Sequence, residues 1–297
     1  MISICIPIFN YGVRPLVESL AVQAAEVSEE VEIVCIDDHS DACFEAMNRG
    51  VGDVYVRLEK NVGRAAIRNR FLKYAKGEWL LFLDNDSVVN DCFLARYVAW
   101  LNDKAKVMVG GRVYDPKSDR PECRLRYRYG VKVECRNEES RRKEPYRSFM
   151  TNNFMIRREV LEKIGFDERI SLYGHEDTLY GYRLEEAGVG ILHIENAVMN
   201  GEVETNEEFV RKSEEAVESM VKIYGFMKVE ERFCRSVRLL KAYEDVSRWH
   251  MASAVYLMFR LLRVPIRHLL ARGWCTSMAV FSFYKLGLFI KGVKYEK

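Results

Sequence analysis

Through the first two fifths of the chain, short apolar runs alternate with stretches of helical spacing. Ile2 to Ile8, Val31 to Ile36, Val54 to Leu58, Trp79 to Leu83 and Val107 to Val109 are rich in β-branched or large apolar residues, as strands buried on both faces are. Between them, residues 64–76 set Ile67, Phe71, Tyr74 and Ala75 at i, i+4, i+7 and i+8, a helical stripe stopped by Gly77. Strand and helix in alternation predict an α/β fold with a mostly parallel central sheet flanked by helices, in which ligands bind outside the carboxyl ends of the strands. Later segments predict a helix near 157–164, another at 177–187 ended by Gly188, a strand at 189–194 and a helix near 206–224. Residues 112–150 are irregular and basic ("RLRYRYG", "RRKEPYR"), and predict a long loop or small excursion that either shapes a substrate site or is solvated.

The pattern divides the chain into an α/β domain, 1–226, and a basic amphipathic helical extension, 227–297. Residues 232–297 hold 13 Lys and Arg against 3 Asp and Glu, out of chain totals of 46 and 44, so a basic tail follows an acidic body although the net charge is only +2. Arg260, Arg263 and Arg267 fall at i, i+3 and i+7 among apolar and aromatic residues, and 273–290 is an 18-residue stretch whose only charge is Lys285. That is short and polar for a spanning helix, and predicts interfacial helices with Arg and Lys toward anionic headgroups, giving peripheral membrane contact through 230–297. Packing of these helices on the body of the protein, or on another subunit in an oligomer, is the alternative. The eight cysteines show neither CxxC pairs nor metal-ligand spacing, and Cys5 and Cys35 lie in apolar runs, as buried thiols of a reducing compartment do. The first residues, "MISICIPIFN", lack the features of a secretory signal, which predicts a cytoplasmic protein.

The fourth apolar run ends in an unusual way: "EWLLFLDNDSVV" passes directly into Asp84-Asn85-Asp86. Two carboxylates so close repel each other unless a cation or a hydrogen-bond network lies between them. Carboxylate oxygens completed by a diphosphate and water suit Mg²⁺ or Mn²⁺. For the tripeptide alone, a turn using Asp and Asn for local bonds is the plainer explanation. However, Asp37 and Asp38 end the second run ("EIVCIDDHS"), and Pro7, Phe9 and Asn10 close the first, so three of the first four strands are expected to finish in polar groups on one rim of the sheet. No G-x-G-x-x-G or other Gly-rich loop follows the first run, which argues against a dinucleotide-dependent dehydrogenase and a nucleotidyltransferase. No aromatic groove or fold signature favours nucleic acid.

Six segments, in order "SICIPIFNYG", "EIVCIDDHSD", "NVGRAAIRN", "FLDND", "TNNFMIRREVLEKIGFDERI" and "GHEDTLYGYRLEEAG", resemble a family 2 glycosyltransferase of the GT-A fold and cover residues 2 to about 200. The resemblance implies an inverting, metal-dependent enzyme using Mg²⁺ or Mn²⁺. Such an enzyme moves a sugar from a nucleotide-sugar, with UDP the expected carrier, to a glycan or lipid-linked acceptor hydroxyl in cell-surface polysaccharide synthesis. It implies nucleotide-sugar contacts at Pro7, Phe9, Asn10, Asp37, Asp38, Arg64, Arg68, Asp84 and Asn85, and a metal site at Asp84 and Asp86, the DXD motif. Asp177 is then the catalytic base, with Glu176 beside it in acceptor binding or orientation. A helix N-cap for Asp177, and a solvated helix face for Arg64 and Arg68, are the plainer readings. Where many members carry a metal-binding His, the aligned residue here is Asn200, a neutral oxygen ligand that still suits Mg²⁺. That departure leaves a second reading, a catalytically idle nucleotide-sugar-binding scaffold in a membrane-associated assembly. Both readings place the protein in the cytoplasm, at the inner face of the cell membrane.

Overall fold

The structure, a computed structural model, describes residues 1–101 and 104–295. In chain order its elements are β1 (Ile2–Ile8), α1 (Arg14–Glu26), β2 (Val31–Asp37), α2 (Ala42–Asn48), β3 (Val54–Arg57), α3 (Gly63–Tyr74), β4 (Trp79–Leu83), β5 (Ser87–Val88), α4 (Phe93–Val98), β6 (Val107–Val109), β7 (Arg112–Tyr114), α5 (Arg124–Tyr129), α6 (Glu138–Lys143), β8 (Asn153–Arg157), α7 (Arg158–Lys163), α8 (Glu176–Glu186), β9 (Ile191–His193) and β10 (Val198–Asn200). Five helices follow: α9 (Asn206–Met227), α10 (Glu231–Ser236), α11 (Arg238–Arg248), α12 (Ala252–Ala271) and α13 (Met278–Lys294). The chain forms two compact units. One comprises Met1–Tyr114, Glu134–Ser171 and Glu176–Glu202; the other comprises Asp115–Val133, Leu172–His175 and the residues from Val203 on.

The first unit is built on a seven-stranded sheet in the order β3-β2-β1-β4-β8-β6-β9, parallel except for β8, which runs against both its neighbours. Both faces are covered, and this is why the strand sequences are continuous apolar runs and do not alternate. On one face Ile4, Ile6, Leu81 and Met155 pack with Leu16 and Leu20 of α1 and Phe93 and Tyr97 of α4. On the other, Cys5, Phe82 and Phe154 pack with Ile67 and Phe71 of α3, Leu161 of α7 and Tyr180 of α8. Phe82 and Phe154 stack across the antiparallel β4–β8 pair at 4.9 Å between centroids. A second, three-stranded sheet has the order β5-β10-β7. The register Ile8↔Asp37 brings the carboxyl ends of β1 and β2 level, which makes the rim that the sequence predicts.

Residues 112–150 are more ordered than their composition predicts. They supply β7, α5 and α6, and their arginines are used internally. Arg141, buried, donates to the carbonyls of Val109, Gly110, Ile194 and Arg136 and to Nδ1 of His193. His193 donates in turn from Nε2 to the Pro145 carbonyl, and burial pushes it down to about 4, so it is a neutral structural imidazole. All eight cysteines are free thiols; Cys5, Cys35, Cys123 and Cys234 are buried, whereas Cys43 and Cys92 are exposed, unlike the expectation for them.

The second unit is helical and includes α9 together with the expected extension. Its core gathers Leu125, Phe209, Val210, Phe259, Leu270, Phe281 and Tyr284. α13, expected at a membrane interface, is instead a packed helix: it lies against α9, α11 and α12 and buries Phe281, Tyr284, Phe289 and Ile290. Gly287 permits this, because a Cβ there would stand 2.2 Å from the Phe259 ring. Among the described residues no helix is long and apolar enough to cross a membrane.

Arg141→Met keeps the stem but removes the donors to four carbonyls. Each buried acceptor left unpaired costs about 1–3 kcal/mol, so a loss of about 3 kcal/mol or more is expected in denaturant unfolding, against little change for exposed Arg147→Met.

Candidate active site

The rim residues are held by protein before any ligand arrives. Asp37 ends β2 fully buried; its Oδ1 accepts from the Ser40 N–H at 2.6 Å and its Oδ2 from the Tyr55 hydroxyl at 2.9 Å. Asp38 accepts the N–H groups of Val62 and Gly63 at the start of α3, at 2.7 and 3.0 Å, and burial raises its pKa. Gly63 has φ +83, a conformation that costs glycine nothing. Asn10 ties the β1 loop to the β2 loop by exchanging bonds with Asp41, while Phe9 beside it is exposed. Pro7 lies within β1 opposite Ile36. Among the described non-glycine residues, only Asn10, His39, His175 and His250 have positive φ; the first two follow β1 and β2, and the third precedes α8. Such outliers persist where surrounding structure over-determines them, and they concentrate at functional sites.

Asp84 and Asp86, one residue apart, are sent to different partners. Asp84 Oδ1 accepts from Arg68 at 3.0 Å, and its Oδ2 lies 3.9 Å from Arg112. Asp86 is on the other arm of the turn: its carbonyl accepts from the Gly201 N–H at 2.7 Å, and β5 pairs with β10 so that Ser87 faces Asn200. A Cβ at Gly201 would stand 2.7 Å from the Asp86 carbonyl, so the segment Asn200–Glu202 is drawn against this turn. Tyr11 senses the result; burial raises its pKa, followed by the charges of Glu202 and Asp86. Asn85 lies half-buried between the two aspartates. The donor chemistry around Asp86, with its carboxylate, the Asn200 amide and the Glu202 carboxylate, is the oxygen set that a hard divalent cation takes. Among the described residues no group of three or more His, Cys, Asp and Glu could hold a metal by itself, so such a cation would draw further ligands from substrate phosphates and water.

Arg68 is the centre of the cluster. It is 2 % exposed, donates to the Arg64 carbonyl and to Asp84, and lies 3.6 Å from Glu176 and 5.8 Å from the centroid of Phe166. This replaces the solvated helix face as the explanation of Arg68; Arg64, a turn earlier, is exposed and 4.0 Å from Glu176. Asp177 lies inside the first turn of α8 and is not its N-cap, because the helix begins at Glu176. Its Oδ1 accepts from the Thr178 N–H at 2.6 Å and from the Thr178 hydroxyl at 3.2 Å. Burial, then the neighbouring Glu176 charge, push Asp177 up to about 7, against the opposing bonds from Thr178 and the charge of Arg68. His175 is pushed down to about 4 by burial and by Lys285, so it is neutral at physiological pH.

Several residues join this site without a local sequence signal. Arg112 bonds Glu134 at 3.3 Å, and Tyr114 also donates to Glu134, a cluster drawn from two ends of the irregular segment. Asn152 hands its carbonyl to the Asp84 N–H at 3.1 Å, and its own buried carboxamide has no protein partner at either nitrogen or oxygen.

Residues 3–165, more than half of the chain, match the profile of glycosyl transferase family 2. The chain is 24% identical over 244 residues to the uncharacterized glycosyltransferase YfnE of Bacillus subtilis, covering 63% of this chain and 61% of that protein. It is 35% identical over 104 residues to the poly(ribitol-phosphate) beta-glucosyltransferase of Bacillus spizizenii, covering 32% of this chain and 16% of that protein. The match thus spans less than two thirds of either relative. Among solved structures, mannosyltransferase PcManGT from Pyrobaculum calidifontis, in complex with GDP-Man and Mn²⁺, has a TM-score of 0.57 at 16% identity over 100% of this chain and 88% of that one. Glucosyl-3-phosphoglycerate synthase from Mycobacterium tuberculosis, with Mn²⁺ and UDP, has a TM-score of 0.51 at 15% identity over 75% of this chain and 79% of that one. These two likenesses are of fold, the GT-A fold that the sequence predicts with a helical carboxyl-terminal region. With the family profile running from the first strand past the Asp84 turn and on through β8, this chain belongs to glycosyl transferase family 2.

Proposed function

We propose that the protein is an inverting glycosyltransferase that moves a sugar from a nucleoside-diphosphate sugar, carried on UDP, to a hydroxyl of a glycan or lipid-linked acceptor in cell-surface polysaccharide synthesis. The observation that carries this reading is Asp177, a partly accessible carboxylate held near 7, one residue from Glu176, which Arg68 and Arg64 face. Single displacement with inversion needs one base and no nucleophilic side chain. A carboxylate near 7 is ionised in a large fraction of molecules at neutral pH, yet basic enough to accept the proton of an attacking hydroxyl. Glu176 is a positioning residue, fixed by the arginines at the start of α8.

On the donor side, exposed Phe9 offers a face to the base, and Asp37 and Asp38 retain lone pairs for ribose hydroxyls. Arg64 and the unpartnered carboxamide of Asn152 supply hydrogen bonds to the diphosphate and the sugar. Asp86, with Asn200 and Glu202, would hold Mg²⁺ or Mn²⁺, which when bound supplies charge stabilisation for the departing diphosphate. Asp84 orients Arg68 and is not a ligand in this scheme. Support for the donor class comes from the UDP and GDP-Man in the two fold neighbours, and for a polymeric acceptor from the poly(ribitol-phosphate) relative. The enzyme then works peripherally at the inner face of the cell membrane, where a lipid-linked acceptor is presented.

Asp177→Asn is expected to lower kcat by ~10²- to 10⁴-fold while nucleotide affinity is kept, and wild-type kcat/KM should fall about tenfold per pH unit well below 7. Wild-type kcat in the variant would remove Asp177 as the base. The same pKa has a stability consequence. A carboxyl raised above its ordinary 3.8 in the folded state gives stability that is full below that value and lost as pH rises through about 7, so Asp177→Asn should raise Tm at pH 8 and hardly at pH 4. UDP with Mg²⁺ or Mn²⁺ should raise Tm, EDTA should cancel most of the gain, and Asp86→Ala should show only the EDTA-level shift. Nucleotide binding without detectable sugar-nucleotide hydrolysis would favour the idle scaffold.

A further inference from the structure

Among the described residues, α12 presents a long apolar surface without a partner. α12 buries Ala252, Phe259 and Leu270 but turns Leu257, Met258, Leu261, Leu262 and Val264 to solvent, with Leu261 72% and Val264 68% exposed. Positions 254, 257, 258, 261, 264 and 265 form one stripe at 3.6 residues per turn. Trp249 just before the helix is 75% exposed and Trp274 just after it 73%. An amphipathic rod with a Trp at each end matches a surface lying in a water–lipid interface.

Charge selects the occupant. From residue 246 to 295 the sequence contains no Asp or Glu, and it contains Arg248, Arg260, Arg263, Arg267, Arg272, Lys285, Lys291 and Lys294. Arg267 is used internally, bonding Glu214 and Glu207 of α9 at 2.9 Å each, and so leaves the set that the sequence spacing suggested. Arg260 is exposed on the flank of the stripe and Arg272 lies at its end, whereas Arg263 falls on the opposite side of the helix, one turn from Phe259 and from Arg267. Two copies meeting face to face through this surface would oppose these cations, whereas anionic headgroups complement them.

We propose that the exposed face of α12, with Trp249 and Trp274 at its ends and Arg260 and Arg272 beside it, docks the protein on an anionic lipid surface, with α13 buried beneath as its support. This gives residues to the membrane placement of the proposed function, and its test needs no turnover. In co-sedimentation, the full chain is expected to bind vesicles of phosphatidylcholine with phosphatidylglycerol, weakly bind phosphatidylcholine alone, and release as salt rises. Trp emission should shift to the blue on binding. Leu261→Asp with Val264→Asp should cut binding by ~10-fold or more, since each buried aliphatic side chain accounts for about that factor. Its Tm and its sugar-nucleotide hydrolysis should stay at wild-type values, which separates lost docking from lost folding and from failure of the catalytic reading. Arg260→Gln with Arg272→Gln should remove the preference for the anionic vesicle. The proposal is overturned if folded wild-type protein binds neither vesicle, if the Asp variant binds as wild type, or if sedimentation velocity shows a dimer that the Asp variant dissociates.

Discussion

The buried guanidinium of Arg68 is the interaction on which the rest of the site depends. A cation at 2 % exposure must be paired, and here the partners are Asp84 at the end of β4 and Glu176 at the start of α8. Three elements, α3, the end of β4 and the distant start of α8, are thereby held around one charge. The pairing also separates residues that look equivalent in sequence. Of Asp84 and Asp86, one serves the arginine and the other faces the segment Asn200–Glu202. Of Glu176 and Asp177, one faces the two arginines and the other is held near 7 by burial and by its neighbour. Neighbouring carboxyls in environments this different are the arrangement from which separate acid and base roles are drawn.

Around this centre the rim is organised in advance. Asp37 and Asp38 already accept two hydrogen bonds each, and Asn10 and Asp41 bridge two loops. Groups fixed in this way do not have to be ordered when substrate binds, so less binding energy is spent on orientation. The backbone at Asn10 and His39 is held at positive φ, a local cost accepted where those bonds are made.

The sheet and the outline of the site were legible in the sequence for a simple reason: strands buried on both faces leave uninterrupted apolar runs. Ile2–Ile8, Trp79–Leu83 and Val107–Val109 appear with the bounds their composition suggests. The carboxylates were legible because they end such runs. What escaped were interactions that cross long sequence distances. Arg141 and Arg142 sit in a segment that reads as a loop, either shaping a substrate site or solvated, because their acceptors are backbone carbonyls around residues 109 and 193, and carbonyls leave no mark in a sequence. Arg112, Tyr114 and Glu134 give no local pattern because the arginine and the tyrosine meet the carboxylate across 22 and 20 residues of irregular sequence. α13 looked interfacial because a helix wrapped by α9, α11 and α12 is as apolar as one lying on lipid, and composition does not distinguish protein from bilayer as the covering phase. Asn152 escaped because its distinction is the lack of a protein partner, visible only once the neighbours are in place.

The division of labour between the two aspartates is tested most directly by anomalous diffraction at the manganese edge from crystals grown with UDP and Mn²⁺. The expected map places the metal in coordination distance of Asp86, with Asp84 still bonded to Arg68. A metal ligated by Asp84, with Arg68 released from it, would contradict the arrangement at its centre.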